Sequence, residues 1–205
     1  MADWKSALAA LVATEEANEN KELMEQREQS QARLNSAESR QRKAISQLAL
    51  AMINYDNGDP KRIQHTTKVH AYASLIGIGE GLDEDTQIIL ESAALVHDIG
   101  IRASERKFGH QNGKLQEQEG PAVARDLLTR IGGYTDEQIE RICWLVAHHH
   151  TYHASEDMDY QILIEADFLV NLYEDNESKD AIRAVRRNIF RTQSGTKILD
   201  DMFNC

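Results

Sequence analysis

Apolar residues recur at helical spacing along much of the chain, and no stretch alternates apolar and polar residues as a half-buried strand would. The first apolar stripe is formed by Trp4, Leu8, Leu11 and Val12. Residues 15–43 are almost entirely polar, and their only large apolar residues, Leu23, Met24 and Leu34, are too sparse for a coiled-coil seam. We therefore expect residues 1–47 to form an N-terminal extension that is a solvated helix, an arm on a partner subunit, or disordered.

Start and stop signals for helices divide residues 48–205 into at least five helices, so we predict an all-α helical bundle for this domain. Gly100 is expected to end the second of these helices, because glycine is common just after a helix. Residues 101–118 are polar and slightly basic, and we expect them to form a loop. In chain order, the predicted helix starts or caps are Asp59, Asp83, Pro121, Thr135, Asp159 and Ser178.

Composition narrows the class of protein. The 205 residues are 41% hydrophobic and 28% charged, which is typical of a globular protein. The formal net charge is -11, so binding to a nucleic-acid polymer is disfavoured. No apolar run approaches the ~18 residues of a membrane span. The N-terminus lacks the basic region of a secretory signal, and two cysteines make no disulfide framework, so we expect a cytoplasmic protein.

All eight histidines lie between His65 and His153, and several of them fall on apolar helices. The stripe that contains His65 continues through apolar residues four, seven and eleven positions later, which turns this histidine toward the core. His97 and Asp98 end the most apolar predicted helix, and Asp167 lies inside the apolar run LIEADFLV. The pattern predicts two inward histidines and two inward carboxylates on three helices.

An isolated buried carboxylate is costly, so it is normally paired or bound to a metal. A divalent cation would neutralise the whole set, and imidazole with carboxylate suits Mn, Fe, Zn, Co or Ni. The absence of thiolates argues against a structural zinc site. Each residue alone has an ordinary alternative: His65 as a core residue bonded to a carbonyl, His97-Asp98 as a helix end, and Asp167 paired with Arg183 or Arg186.

The ordered set His65, His97-Asp98 and Asp167, in the contexts RIQHTTKVHAYA, AALVHDIG and LIEADFLVNL, resembles the HD-domain superfamily of metal-dependent phosphohydrolases. The resemblance covers residues 48–205 and implies an all-α bundle of at least five helices. It also implies that His65, His97, Asp98 and Asp167 bind a divalent metal. Mg joins Mn, Fe, Zn, Co and Ni as a candidate, and we expect one or two ions per chain.

Some branches of that superfamily hold a second metal, and the motif LVAHHHTY resembles part of their ligand set. By this resemblance His148 and His149 are candidate ligands of a second metal. Glu119 stands where those branches have a histidine, so it is the third candidate. The GYP triplet of the HD-GYP subfamily is absent after the histidine run, which disfavours cyclic-dinucleotide hydrolysis. The alternative for the histidine run is a polar helix end.

The function expected from these residues is hydrolysis of a phosphate mono- or diester of a nucleotide or another small molecule by metal-activated water. Asp98 is the candidate for orienting the water. Arg102 and Lys107 follow it closely and are candidate catalytic cations, while Lys114 and Gln118 are candidate substrate contacts. The basic residues have the plain alternative of a solvated loop.

Two other functions stay open at this point. A few members of the superfamily are diiron oxygenases, and an HD site can also serve a regulatory nucleotide-binding module. We expect the partner to be a small phosphate ester or nucleotide, with no nucleic-acid polymer and no membrane. The N-terminal extension is a candidate surface for a homo-oligomer.

Overall fold

The computed structural model describes the backbone of residues 4–204 and the side chains of residues 21, 23–32 and 39–204. The side chains of the predicted stripe from Trp4 to Val12, and that of Leu34, lie outside the described residues. In the described range all regular structure is helical, which confirms the all-α prediction. The helices are α1 (Trp4–Tyr55), α2 (Pro60–Glu80), α3 (Glu84–Val96), α4 (Gly100–Phe108), α5 (Gly113–Ile131), α6 (Asp136–Val146), α7 (Met158–Glu174), α8 (Lys179–Asn188) and α9 (Gln193–Phe203).

The chain divides into two compact units, Met1–Gln41 and Arg42–Cys205, six residues before the boundary expected after residue 47. In the first unit, every described side chain from residue 21 to residue 40 is exposed. In the second unit, the last turns of α1 bury Ala44, Leu48 and Met52, which are spaced four residues apart on one face. Within the range 4–204, no helix has the length and apolar composition needed to cross a membrane.

The helices α3 and α7 form the centre of the second unit. Both are apolar on most sides, and their buried residues include Leu90, Ala93, Leu163 and Leu169. Helices that are apolar all round are buried all round. The helix α2 packs on both of them, and α6 packs on α3. The helices α2 and α7, which carry His65 and Asp167, therefore share one core with α3, which ends just before His97.

Helix caps fix where the central helices begin. The Asp59 carboxylate accepts a hydrogen bond from the Arg62 backbone N–H at the start of α2, and Gly81 ends this helix in the left-handed region. Asp83 caps α3 in the same way, through the N–H of Thr86. Thr135 and Gln138 form the predicted capping box of α6. These starts agree with the sequence pattern.

The segment between the second and third predicted helices is not a loop. The helix α3 ends at Val96, residues 97–99 form a turn, and Gly100 begins α4 instead of ending α3. The prediction of a loop over residues 101–118 was therefore wrong. Burial of Ile101 and Ser104 against the rest of the domain stabilises this short amphipathic helix.

Pro121 does not start a helix, and it lies inside α5, which is capped by the Asn112 side chain. The first turns of α5 form because they pack closely on α4. A Cβ atom at Gly100 would lie 2.4 Å from the Gln116 carbonyl oxygen and 2.9 Å from the Gly120 backbone nitrogen. A proline inside a helix removes a backbone hydrogen bond, so the local sequence favours a helix that starts at Pro121. The backbone contact between α4 and α5 offsets this cost and stabilises the turns before the proline.

Asp159 lies in the first turn of α7, one residue inside the helix that it was expected to precede. It is buried, and the Arg141 guanidinium donates to both of its oxygens. This ion pair connects α7 to α6 and stabilises Asp159 in the first turn of α7.

Candidate metal centre

The four residues predicted to bind metal come from two helices and one turn. His65 lies on the second turn of α2, on the same buried face as Val69 and Ile76. His97 follows the last residue of α3, and Asp98 is in the turn behind it. Asp167 lies in the middle of α7. Because α3 and α7 both pack against α2, these side chains meet at one point in the domain.

Their nitrogen and oxygen atoms converge within bonding distance of a common centre. The Nε2 atoms of His65 and His97 are 3.4 Å apart. Asp167 Oδ1 is 3.3 Å from the first and 3.6 Å from the second. Asp98 Oδ2 is 3.6 Å and 3.5 Å from the same two nitrogens. Ligand atoms bound about 2.1 Å from one metal ion in a tetrahedral site lie about 3.4 Å apart, so the spacing fits a single cation.

Each histidine near this point is oriented through its Nδ1 atom. His97 Nδ1 lies 2.9 Å from the Ala94 carbonyl oxygen, and His149 Nδ1 lies 2.8 Å from that of Val146. Nδ1–H donates in both cases, so Nε2 keeps its lone pair for a metal. His65 differs, because its Nδ1 faces the carboxylate of Glu174, 3.2 Å from Oε2.

The charges at the centre compensate one another strongly. Burial lowers the pKa of His97, but the carboxylates of Asp98 and Asp167 outweigh it and raise that pKa to about 9. The pKa of Asp98 falls to about 2, since His97 and His149 outweigh the opposing effect of burial. The pKa of Asp167 is lowered by its contacts with His65 and His97, again against burial. Both carboxylates are thus ionised and both histidines attract a cation or a proton.

One buried atom beside the centre lacks a hydrogen-bond partner, and this supports the fit to metal. His149 is 2% exposed, and its Nε2 has no partner among the described residues. That atom lies 3.7 Å from Asp98 Oδ1, the oxygen turned away from His65 and His97. A buried polar atom left unpaired costs about 1–3 kcal/mol, which a bound cation would remove.

A second cluster of three donors therefore adjoins the first and shares Asp98. Its members are Asp98, His149 and His150, whose ligand atoms lie within 4.8 Å of one another. His150 Nε2 is 2.8 Å from the Gln116 side-chain oxygen. Burial and the neighbouring His149 lower the pKa of His150 to about 4, so its ring is neutral, as a metal ligand must be.

The other predicted ligands of a second metal lie elsewhere. The His148 ring stacks on Trp144 at 4.3 Å, and its Nδ1 is bonded to the Trp144 carbonyl oxygen. The α6 helix ends at Val146, so the helical spacing does not continue through the histidine run, and His150 takes the place expected for His148. The carboxylate of Glu119 accepts a hydrogen bond from Lys107, 2.7 Å from Nζ. Glu119 belongs to neither cluster.

The remaining predicted site residues make other contacts or are exposed. Arg102 donates to Asp56 at 2.9 Å and to the Asn57 carbonyl oxygen. Lys114 and Gln118 are exposed on α5. Arg183 and Arg186 were alternative partners for Asp167, but they pair with Asp180 and Asp200. Asp167 instead faces the two histidines and accepts a hydrogen bond from Asn171.

A cavity of 390 Å³ opens beside the first cluster and is lined by His65, Asp98 and Asp167. Sequence reasoning missed most of the rest of its lining. Helical spacing contained the signal for some of these residues: Lys61 is four residues before His65, and Asn171 and Glu174 are four and seven after Asp167. Gln116 was expected near the site only if the third predicted helix began there, and Gln111 lies in a segment that was predicted to be a loop. The further lining residues used below are Lys61, Arg62, Gln111, Gln116, His150, Asn171, Glu174 and Asp175.

Comparison with known proteins gives one match. The model of the HD domain family matches residues 62–192, which include all members of both clusters. No curated protein and no solved structure matches the chain. The matched span is more than half of the sequence, and it begins and ends around the helices that carry the site. By its sequence and by the convergence of its two histidines and two aspartates, this chain belongs to the HD domain family.

Proposed function

We propose that this protein is a metal-dependent phosphohydrolase that cleaves a phosphate ester of a nucleotide or another small molecule with water as the nucleophile. The observation that carries the proposal is the meeting of His65, His97, Asp98 and Asp167 at distances that fit one cation. A divalent ion held there would lower the pKa of a water molecule and withdraw negative charge from the phosphoryl oxygens.

The residues divide the work of holding and orienting. His65, His97 and Asp167 would hold the cation, and their positions are fixed by the packing of α2, α3 and α7. Asp98 is the least buried of the four, with 23% of its side chain exposed, so its carboxylate can both bind the cation and orient the attacking water. Its two oxygens face opposite sides, Oδ2 toward the first cluster and Oδ1 toward His149.

We propose two cations per chain, with the second bound by Asp98, His149 and His150. The unpaired His149 Nε2 and the neutral ring of His150 support this assignment. The donor set is nitrogen and oxygen, which suits Mn, Fe, Co, Ni or Zn, with Mg as a weaker candidate. This proposed set keeps His149 from the ligands first expected and has Asp98 and His150 in place of Glu119 and His148.

The test is hydrolysis by protein that has been stripped of metal and reloaded. We expect chelator-treated protein to be inactive and added Mn or Co to restore release of p-nitrophenol from p-nitrophenyl phosphate or from its diester. Asp167→Asn should abolish activity and metal retention. Asp201→Asn, at an exposed ion pair on α9, is the matched control and should behave as wild type. Full activity in the stripped protein or in Asp167→Asn would refute the proposal.

A diiron oxygenase is the second candidate, because two donor clusters share Asp98 and would hold two metals side by side. The two functions separate by metal and by co-substrate. An oxygenase requires iron and consumes dioxygen, whereas a phosphohydrolase releases phosphate under nitrogen. Phosphate release without oxygen would decide for the hydrolase.

The setting of the protein completes the proposal. We propose a cytoplasmic enzyme, because the sequence has only two cysteines and the described one, Cys143, is a buried free thiol. Its partner is a small phosphate ester, and the acidic net charge of -11 disfavours nucleic-acid polymers. We keep the N-terminal extension as the proposed surface for a homo-oligomer.

A further inference from the structure

The cavity beside the metal centre has a charge pattern that limits its ligand. Two of its carboxylates, Asp98 and Asp167, face the proposed cations. Glu174 is occupied by Lys68 at 2.5 Å and by His65. Arg62 is held by both oxygens of Glu105 and by Asp59. These groups are already compensated, so they offer little to a ligand.

The charged groups left over in the lining are one cation and one anion. The ammonium group of Lys61 has no hydrogen bond or ion pair in the described part of the chain, and the same holds for the Asp175 carboxylate. Lys61 is one helical turn before His65, so it is about 6 Å along α2 from a metal ligand. Beyond the metal centre the cavity therefore has no surplus of positive charge. A chain of two or three phosphates would need such a surplus.

The uncharged part of the lining is made of amides. The Gln111 side-chain oxygen accepts from Gln116 at 2.5 Å, which leaves the Gln111 NH₂ group free to donate. The Asn171 NH₂ group donates to Asp167 at 2.8 Å, which leaves the Asn171 oxygen free to accept. A hydroxyl group both donates and accepts, so hydroxyls match this pair of amides.

The lining offers no face on which a nucleobase could stack. Among the described residues, the only rings in it are the imidazoles of His65 and His150. His65 is fixed by Glu174, and His150 packs against His149 with ring centroids 4.0 Å apart. Bases are usually held on aromatic or guanidinium planes, and the one guanidinium here is bound by two carboxylates.

Building on the proposed function, we infer that the substrate is a monophosphate ester of a small, hydroxyl-rich alcohol without an aromatic ring, the chemistry of a sugar phosphate. Its phosphoryl group would lie at the metal centre with Lys61 beside it, and its hydroxyls would contact Gln111 and Asn171. In the reaction, a bond forms between the water oxygen and phosphorus, the bond from phosphorus to the ester oxygen breaks, and the alcohol leaves with a proton.

Two probes that differ only by the base test this inference. Ribose 5-phosphate and adenosine 5′-monophosphate carry the same ribosyl phosphate, and each is given to the full-length, metal-loaded protein. We expect kcat/KM to be at least about tenfold higher for ribose 5-phosphate, because the base finds no contact in the cavity. An equal or higher kcat/KM for adenosine 5′-monophosphate, or for adenosine 5′-triphosphate, would overturn the inference and leave the proposed function standing. Failure to hydrolyse any phosphate ester would overturn the proposed function, and the inference with it.

A matched pair of variants tests the place of the phosphate. Lys61→Met should raise KM for ribose 5-phosphate about tenfold or more, because it removes a charged hydrogen bond, and should leave the metal content unchanged. Lys179→Met, at an exposed lysine on α8, should change neither value. An unchanged KM in Lys61→Met would contradict the assignment, and unchanged metal content separates loss of substrate binding from damage to the centre.

Discussion

Glu174 gives the sharpest single test of how the site is held. Its Oε2 lies 3.2 Å from His65 Nδ1, and its Oε1 lies 2.5 Å from Lys68 Nζ. It is the only carboxylate that orients a histidine of the centre through Nδ1 among the described residues, since His97 and His149 use backbone carbonyls. Glu174→Ala should leave His65 free to rotate and make it a weaker base.

The size of the effect follows from the kind of contact. Loss of such a supporting hydrogen bond typically lowers metal affinity about 10- to 100-fold, which corresponds to about 1.4–2.7 kcal/mol. Glu174→Gln keeps an acceptor oxygen for His65, so we expect it to fall at the lower end. Lys68→Met is the matched control, because this lysine is 35% exposed and its ion pair contributes about 0–1 kcal/mol. It should change metal affinity less than about threefold.

The assay is competition for Co or Zn against a chromophoric chelator, with the melting temperature of the metal-free protein as a check on folding. The expected order of affinity is wild type and Lys68→Met, then Glu174→Gln, then Glu174→Ala. Wild-type metal affinity in a folded Glu174→Ala protein would refute the reasoning, because it would show that His65 is oriented without this carboxylate.

Four further outcomes are expected. Asp98→Ala should abolish both metal retention and hydrolysis, and a variant with full metal content would contradict the site; metal analysis measures this. His150→Ala should lower the metal stoichiometry from two to one per chain, whereas His148→Ala should leave it at two; equal stoichiometry in both variants would argue for a single ion. The metal-free protein should lose up to about 3 kcal/mol of stability as the pH rises from about 6.5 through the pKa of His97, about 9, because the proton that stabilises the folded state is then lost. The affinity for metal should rise over the same pH interval. Melting curves and metal titrations at several pH values test both expectations. Arg102→Ala should lower the melting temperature, since it leaves a buried carboxylate unpaired, but should keep kcat/KM; a large fall in kcat/KM would restore Arg102 to the catalytic residues.

The part of the site that the sequence predicted is the part carried by long apolar helices. His65 and Asp167 lie on stripes that continue for several turns, and His97 closes the most apolar helix, so helical spacing alone places them in the core. Caps such as Asp59 and Asp83 fix where these helices start. Periodicity and burial thus agree with the structure wherever one helix face is buried over several turns.

The part that was missed depends on contacts between segments distant in sequence. The start of α5 is stabilised by the approach of Gly100 to Gly120, which no local pattern reveals, and Pro121 pointed to a later start. The later start placed Gln111 and Gln116, which line the cavity, in a predicted loop. His148 was expected at the metal because LVAHHHTY resembles a ligand motif of the superfamily, but α6 ends at Val146 and the His148 ring stacks on Trp144.

The most direct test of the central claim is anomalous diffraction from a crystal of the protein loaded with Mn or Co. We expect a peak within about 2.0–2.3 Å of His65 Nε2, His97 Nε2, Asp98 Oδ2 and Asp167 Oδ1. A loaded and active crystal with no peak at this position, or with its metal bound only elsewhere, would contradict the account.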